Sequence, residues 1–132
     1  MTSWRPDWDA FPEELLSFWT ERHLCTLTTL RGDGRPHVVP VGVTVDVERR
    51  CAWVITSGTS QKVRHLRENP VLALCQVDGR RWSTIEGHGE VLEDEGSVRR
   101  AMERYAARYR QPRPNPLRVA VRIEVDRFLG NV

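Results

Sequence analysis

Val39, Val41, Val43, Val45 and Val47 occupy every second position of one stretch, and a period of two predicts a strand with one face in a core. The opposite positions are Val38, Pro40, Gly42, Thr44 and Asp46. Pro40 has no amide proton for a strand ladder and Gly42 has no side chain. This face therefore fits either an edge strand with a bulge or a strand whose backbone lies against something flat. Leu24 to Leu30 predicts the preceding strand, Arg31-Gly32-Asp33-Gly34 a hairpin turn, and Pro36 the start of the returning strand. Upstream, Pro12 opens a helix with Glu13 and Glu14 in its first turn and an apolar stripe of Leu15, Leu16 and Trp19, ending near Arg22.

The same reasoning predicts strands at Cys51 to Ser57, Val71 to Val77 and Trp82 to Val91, the last broken by Gly87 and Gly89. A final strand alternates through Val119, Val121, Ile123 and Val125. A helix runs from Ser60 to Glu68 and is stopped by Asn69-Pro70. Asp94 caps another that continues to about Arg110, with Val98, Met102, Tyr105 and Tyr109 at helical spacing. Strands joined mostly by hairpins, six in all, predict a mainly β fold: a closed or nearly closed antiparallel barrel with flanking helices.

A length of 132 residues suits one domain, expected over residues 1–132 with the first ten as a loosely attached arm. Such a chain can bury a core but has little left for a deep private pocket, so a large ligand is more easily enclosed between two copies. No apolar run reaches the roughly 18 residues of a membrane span. The polar N-terminus, with Trp4 and Trp8, is unlike a secretory signal, so a soluble intracellular protein is expected. Cys25, Cys51 and Cys75 lie far apart in apolar runs and are expected as buried free thiols. His23, His37, His65 and His88 are equally scattered, and no metal site is expected. A net charge of +2 gives no ground for bulk nucleic-acid binding. Of the 20 basic residues, Lys62 alone is a lysine.

That lysine stands in Ile55-Thr56-Ser57-Gly58-Thr59-Ser60-Gln61-Lys62, where a strand ends in hydroxyls and glycine and a helix begins at once. Free amides at a helix start, hydroxyl donors and a cation form an anion cradle suited to phosphate. An ordinary Ser or Thr N-cap is the plainer alternative, although a first-turn lysine opposes the helix dipole. Arg64 and Arg67 either extend the positive field or are solvated. Glu86, His88 and Glu90 share one strand face, as an acid–base cluster or an exposed polar face. Trp82 could stack on an aromatic ring or fill a core. The proline-rich loop about Gln111 to Pro116 holds Arg108, Arg110, Arg113 and Arg118, a rigid basic surface for a polyanion or a connector across a dimer. No nucleophile motif such as G-x-S-x-G is present, and no catalytic residue is singled out.

In order, E-R-H-L-C-T-L-T-T-L-R-G-D-G-R-P-H-V-V-P-V-G-V, I-T-S-G-T-S-Q-K-V-R-H-L-R-E-N-P, Q-V-D-G-R-R-W-S-T-I-E-G and R-Y-R-Q-P-R-P-N-P resemble the flavin/deazaflavin split-barrel oxidoreductases, the pyridoxamine 5′-phosphate oxidase superfamily. The match runs from about Glu21 to Gly130. The D-G-R-R-W and R-Y-R-Q-P-R-P-N-P stretches look most like the branch that reduces biliverdin with coenzyme F420. The resemblance implies a six-stranded Greek-key split barrel of the FMN-binding type, working as a cytoplasmic homodimer with the cofactor at the subunit interface. It implies that Ser60 and Lys62 hold the cofactor phosphate, with Gln61 between them also among the cofactor-binding residues. It further implies that Val39, Pro40, Val41 and Gly42 lie against the tricyclic ring, that Thr56 and Ser57 line the ring or ribityl chain, and that Trp82 lies nearby. Arg113 and Arg118 would meet an anionic tail or the propionates of a tetrapyrrole. The implied reaction is hydride transfer from reduced F420 to a conjugated acceptor, best biliverdin to bilirubin. The alternatives are an FMN-binding oxidoreductase and a non-catalytic cofactor- or tetrapyrrole-binding protein. Pyridoxamine phosphate oxidases proper carry a further C-terminal Arg and His motif, absent after Arg127 here, so that activity is not expected.

Overall fold

The hairpin around Arg31–Gly34 forms as its residues predict. In a computed structural model describing residues 1–132, β2 (Cys25–Leu30) pairs with β3 (Pro36–Val41) in a register that sets Thr26 opposite Pro40 and Thr28 opposite Val38. Gly34 takes a φ of 86°, the left-handed conformation that this turn needs and that a side chain disfavours. The valine strand, however, does not run through. It breaks at Gly42, so that Val43–Asp46 form a separate strand, β4, paired with β5 (Cys51–Ser57). The sheet order is β3-β2-β6-β7-β8-β5-β4, with β6 Val71–Asp78, β7 Arg81–Leu92 and β8 Arg118–Asn131. Its two end strands are consecutive in the chain. The sheet therefore closes on itself through Gly42, and the seam between β3 and β4 is the split of the barrel. Counting the divided valine strand twice and adding β1 (Thr2–Trp4) turns the six expected strands into the 8 observed.

The outer face of β4 is not bare. The helix α3 (Glu95–Arg108) lies over it and buries Thr44 and Asp46. Arg100, Arg104 and Arg108, spaced four apart and so on one side of α3, each reach β4. Arg100 grips the Asp46 carboxylate at 2.8 and 2.9 Å, Arg104 donates to the Val45 carbonyl at 3.0 Å, and Arg108 donates to the Val43 carbonyl. Guanidinium groups thus meet the seam edge of β4, which has no strand beside it, and leave its carbonyls paired.

Inside the barrel, Val41, Val43 and Val45 pack with Leu27, Leu74, Ile85, Ile123 and Phe128, while Val39 and Val47 are only partly buried. The helix α1 (Glu13–Thr20) plugs one end with Leu15, Phe18 and Trp19, and the Trp19 indole donates to Ser83 Oγ at 3.0 Å. The first ten residues, expected as a loose arm, are tied down instead. Strand β1 pairs with β8, and Trp8 stacks on Phe11, which meets Phe128 edge-on. A bulge in β8 opposite Glu86 and Gly87 turns both Asp126 and Arg127 outward. A Cβ on Gly87 would fall 2.2 Å from the Glu124 carbonyl oxygen, so the close approach of the strands requires glycine. Glu86, His88 and Glu90 are exposed, His88 pairing with Asp126 at 2.9 Å and Glu86 with Arg127 at 3.7 Å. Cys25 and Cys51 are buried free thiols, and burial pushes each up to about 11. Cys75 is also free but only half-buried. No helix is long and apolar enough to cross a membrane.

Candidate functional site

At the seam, the β3–β4 junction, the end of β5, the start of α2 (Gln61–Glu68) and the loop after α3 enclose a groove of about 270 Å³. Pro40, Val41, Gly42, Thr56, Ser57, Lys62, Arg113 and Arg118 meet there, joined by Ile55, Tyr105 and Arg110. Chain segments far apart in sequence are held together by short bonds. The Gly58 amide donates to the Leu117 carbonyl at 2.7 Å and ties the loop to the β5–α2 turn.

The start of α2 is open. Ser60 occupies the N-cap position in extended geometry, but its side chain makes no capping bond; its hydroxyl instead accepts from Thr56 Oγ1 at 3.3 Å. The first-turn amides therefore lack a side-chain acceptor and no acidic residue neutralises the helix dipole. Lys62 stands beside them, half-buried, and burial lowers the pKa of its ammonium. Lys62, Arg110, Arg113 and Arg118 line the groove without a carboxylate among them. An ordinary N-cap would have used the Ser60 hydroxyl on the helix; here the amides and the cation are left for an anion.

The remaining expected residues lie elsewhere. Val39 packs toward the core from β3, Ser60 sits behind Thr56, and Gln61 is exposed on α2. Trp82, the second residue of β7, lies opposite Val77 and Asn131, outside the groove. Arg64 and Arg67 are exposed, and Arg67 lies 3.4 Å from Glu93. The flat object facing Gly42 is internal: a Cβ there would lie 2.8 Å from the Tyr105 ring and 2.9 Å from the Tyr109 ring. Arg108, grouped by sequence with the basic loop, turns inward and is buried. Sequence reasoning missed its role, although the four-residue spacing of Arg100, Arg104 and Arg108 carries the signal.

A larger cavity of about 770 Å³ adjoins the groove through Asn115 and Arg118, between α3 and the proline loop. Val98, Met102, Pro114 and Pro116 give it an apolar wall, but its rim sets Glu93, Glu95 and Glu103 against Arg99 and Arg118, and Arg99 is already paired with Glu95. The positive groove, not this larger space, has the charge to hold a phosphate. Its volume falls just under the roughly 300–1,000 Å³ typical of small-molecule sites. The groove of one chain is thus small for a whole flavin-sized ligand.

Residues 11–131 match the family model described as pyridoxamine 5'-phosphate oxidase. The chain belongs to that family. Within it, the chain is 49% identical over 119 residues to the F420H(2)-dependent biliverdin reductase of Mycobacterium tuberculosis (strain CDC 1551 / Oshkosh), covering 90% of this chain and 87% of that one. Among solved structures, a conserved hypothetical protein from Mycobacterium tuberculosis superposes with a TM-score of 0.78 at 26% identity, over 92% of this chain and 84% of the other. An F420 reductase superposes with a TM-score of 0.73 at 23% identity, over 89% of this chain and 98% of that one, a likeness of fold. The mainly β split barrel of the pyridoxamine 5'-phosphate oxidase family is thus the fold of this chain.

Proposed function

We propose that this chain is an oxidoreductase that uses reduced coenzyme F420 to convert biliverdin to bilirubin. The observation that carries this assignment is the 49% identity, over 90% of the chain, to an F420H(2)-dependent biliverdin reductase. When bound, the deazaflavin supplies the hydride. The protein's part is binding and alignment, worth several orders of magnitude when reacting groups are held close. The open amides at the start of α2, with Lys62, hold the phosphate. The Pro40–Gly42 backbone borders the groove on the side where a planar ring would lie, and Thr56 and Ser57 supply hydroxyls along it. Arg110, Arg113 and Arg118 grip carboxylates of the cofactor tail or of the tetrapyrrole.

The chain acts as one split-barrel domain and, we infer, as a cytoplasmic homodimer. Support for the dimer comes from the outer face of β2, β3 and β6, where Leu24, Val38, Val71 and Val77 are exposed large hydrophobics, with Thr26 and Thr28 between them. Such a face beside an undersized groove suits closure by a second copy. Free buried thiols suit a reducing compartment.

Side-by-side titration with oxidised coenzyme F420 and with FMN, followed by tryptophan fluorescence, tests the cofactor. Preferred binding of F420, followed by loss of biliverdin absorbance with F420H2, is the expected result. FMN is the second candidate, because the phosphate cradle serves both; tighter FMN binding would move the protein to that chemistry. F420 binding without turnover of biliverdin would leave a carrier.

A further inference from the structure

Val43 follows the break in the valine strand, and its backbone at the seam is held by α3. Its amide donates to Tyr109 Oη at 3.2 Å, and its carbonyl accepts from Arg108 Nη1. The same two residues end α3 and begin the loop that walls the groove. Arg108 also donates through Nε and Nη2 to the Glu21 carbonyl at 2.9 and 2.7 Å, and to Gln76 Oε1 at 2.8 Å. Gln76 in turn donates to the Phe18 carbonyl at 2.8 Å. Tyr109 Oη donates to the His23 carbonyl at 2.6 Å, and burial pushes its pKa up to about 12, so it stays a neutral donor. One guanidinium and one phenol thereby join the α1–β2 connection, β4, β6 and the groove wall.

We propose that Arg108 and Tyr109 are positioning residues that hold the floor and the wall of the anion groove in register. Arg100 and Arg104 bind β4 farther along, at Asp46 and the Val45 carbonyl, whereas Arg108 and Tyr109 meet Val43, the residue next to the Pro40–Gly42 floor. Pro40 and Val41 pair with β2 on one side and run through Gly42 into Val43 on the other, while the loop leaves Tyr109 at Arg110 and is caught again where Arg118 pairs with Ser57. Each of the three nitrogens of the buried Arg108 guanidinium already donates to a carbonyl or amide oxygen, so its role is to hold the chain around the groove. Its fork matches several acceptors at once, which an ammonium cannot do. The inference rests on the groove being the cofactor site, but the coupling of floor to wall can be read without cofactor.

The test uses Tyr109→Phe, which keeps the ring against Gly42 and removes only the hydroxyl, and Arg108→Lys, which keeps the charge and removes the fork. Hydrogen exchange of the apo protein should show the Val43 and Arg118 amides losing protection together, while amides in β6 and β7 are unchanged. Titration with coenzyme F420 should show Kd rising about tenfold in Tyr109→Phe, the scale of one or two hydrogen bonds. Turnover should show the rise in KM for F420 with kcat at saturation within about twofold, since the reacting groups are not touched. Lys62→Ala is the control that raises Kd without altering Val43 exchange. Loss of Val43 protection with the loop unmoved, or an unchanged Kd in both variants, would overturn the proposal. Should the unaltered protein bind neither F420 nor FMN, the cofactor assignment fails, while the exchange data still decide the coupling.

Discussion

Lys62 concentrates the ligand chemistry in one ammonium that burial has already made easier to deprotonate. A phosphate bound there would favour the charged form, so cofactor affinity should fall as pH rises, with onset below the ordinary lysine range near about 10.4. Lys62→Arg should remove that fall, because a guanidinium stays charged throughout. Lys62→Ala should weaken binding of F420 by about tenfold to a hundredfold, the worth of a charge-assisted hydrogen bond, with an unchanged melting temperature. Fluorescence titration across pH checks both. The residue was legible because a lone lysine at a helix start breaks a local preference. Arg108 was not: an arginine near a proline loop looks solvated, and only the acceptors brought to it by the fold make its burial tolerable.

At the scale of elements, α3 is bound to the barrel by an ion pair buried at one end and hydrogen-bonded throughout. Burial alone would push the Asp46 carboxyl up. The Arg100 guanidinium, the Trp53 indole N–H and the Arg49 amide outweigh it and hold the carboxyl below its ordinary range. Asp46→Ala should cost about 3–5 kcal/mol, because Arg100 and Trp53 are left without their acceptor. A depressed carboxylate stabilises fully above its unfolded pKa, near about 3.9, and loses that contribution as pH falls through the folded value. The stability gap between the native protein and Asp46→Asn, measured by urea midpoints, should therefore close on acidification in that window. Most strands and helices could be read from period and punctuation within a residue or two. The break at Gly42 could not, since the core-facing alternation continues unchanged across it and only the pairing partner switches. The short β1 escaped for a related reason: three residues are too few to show a period.

For the whole molecule, the barrel topology was legible because hairpin follows hairpin, whereas the groove depends on contacts between residues about 40 to 118 that no local pattern encodes. The proposed dimer makes a separate test. Val77→Arg places a charge on the apolar outer face, away from the groove-lining residues, and should shift the protein from dimer to monomer in sedimentation. If the second copy completes the site, F420 affinity should fall with it. The seam also sets a timetable. During synthesis, β4 emerges well before residues 95–108 that cover its edge, and the groove wall emerges later still. Until then the nascent barrel carries an open strand edge, the exposure that invites wrong pairing between chains. Ligand capture can begin only after the last wall is laid, which makes F420 binding a reporter of completed folding, slower to return on dilution from denaturant than the strand signal itself.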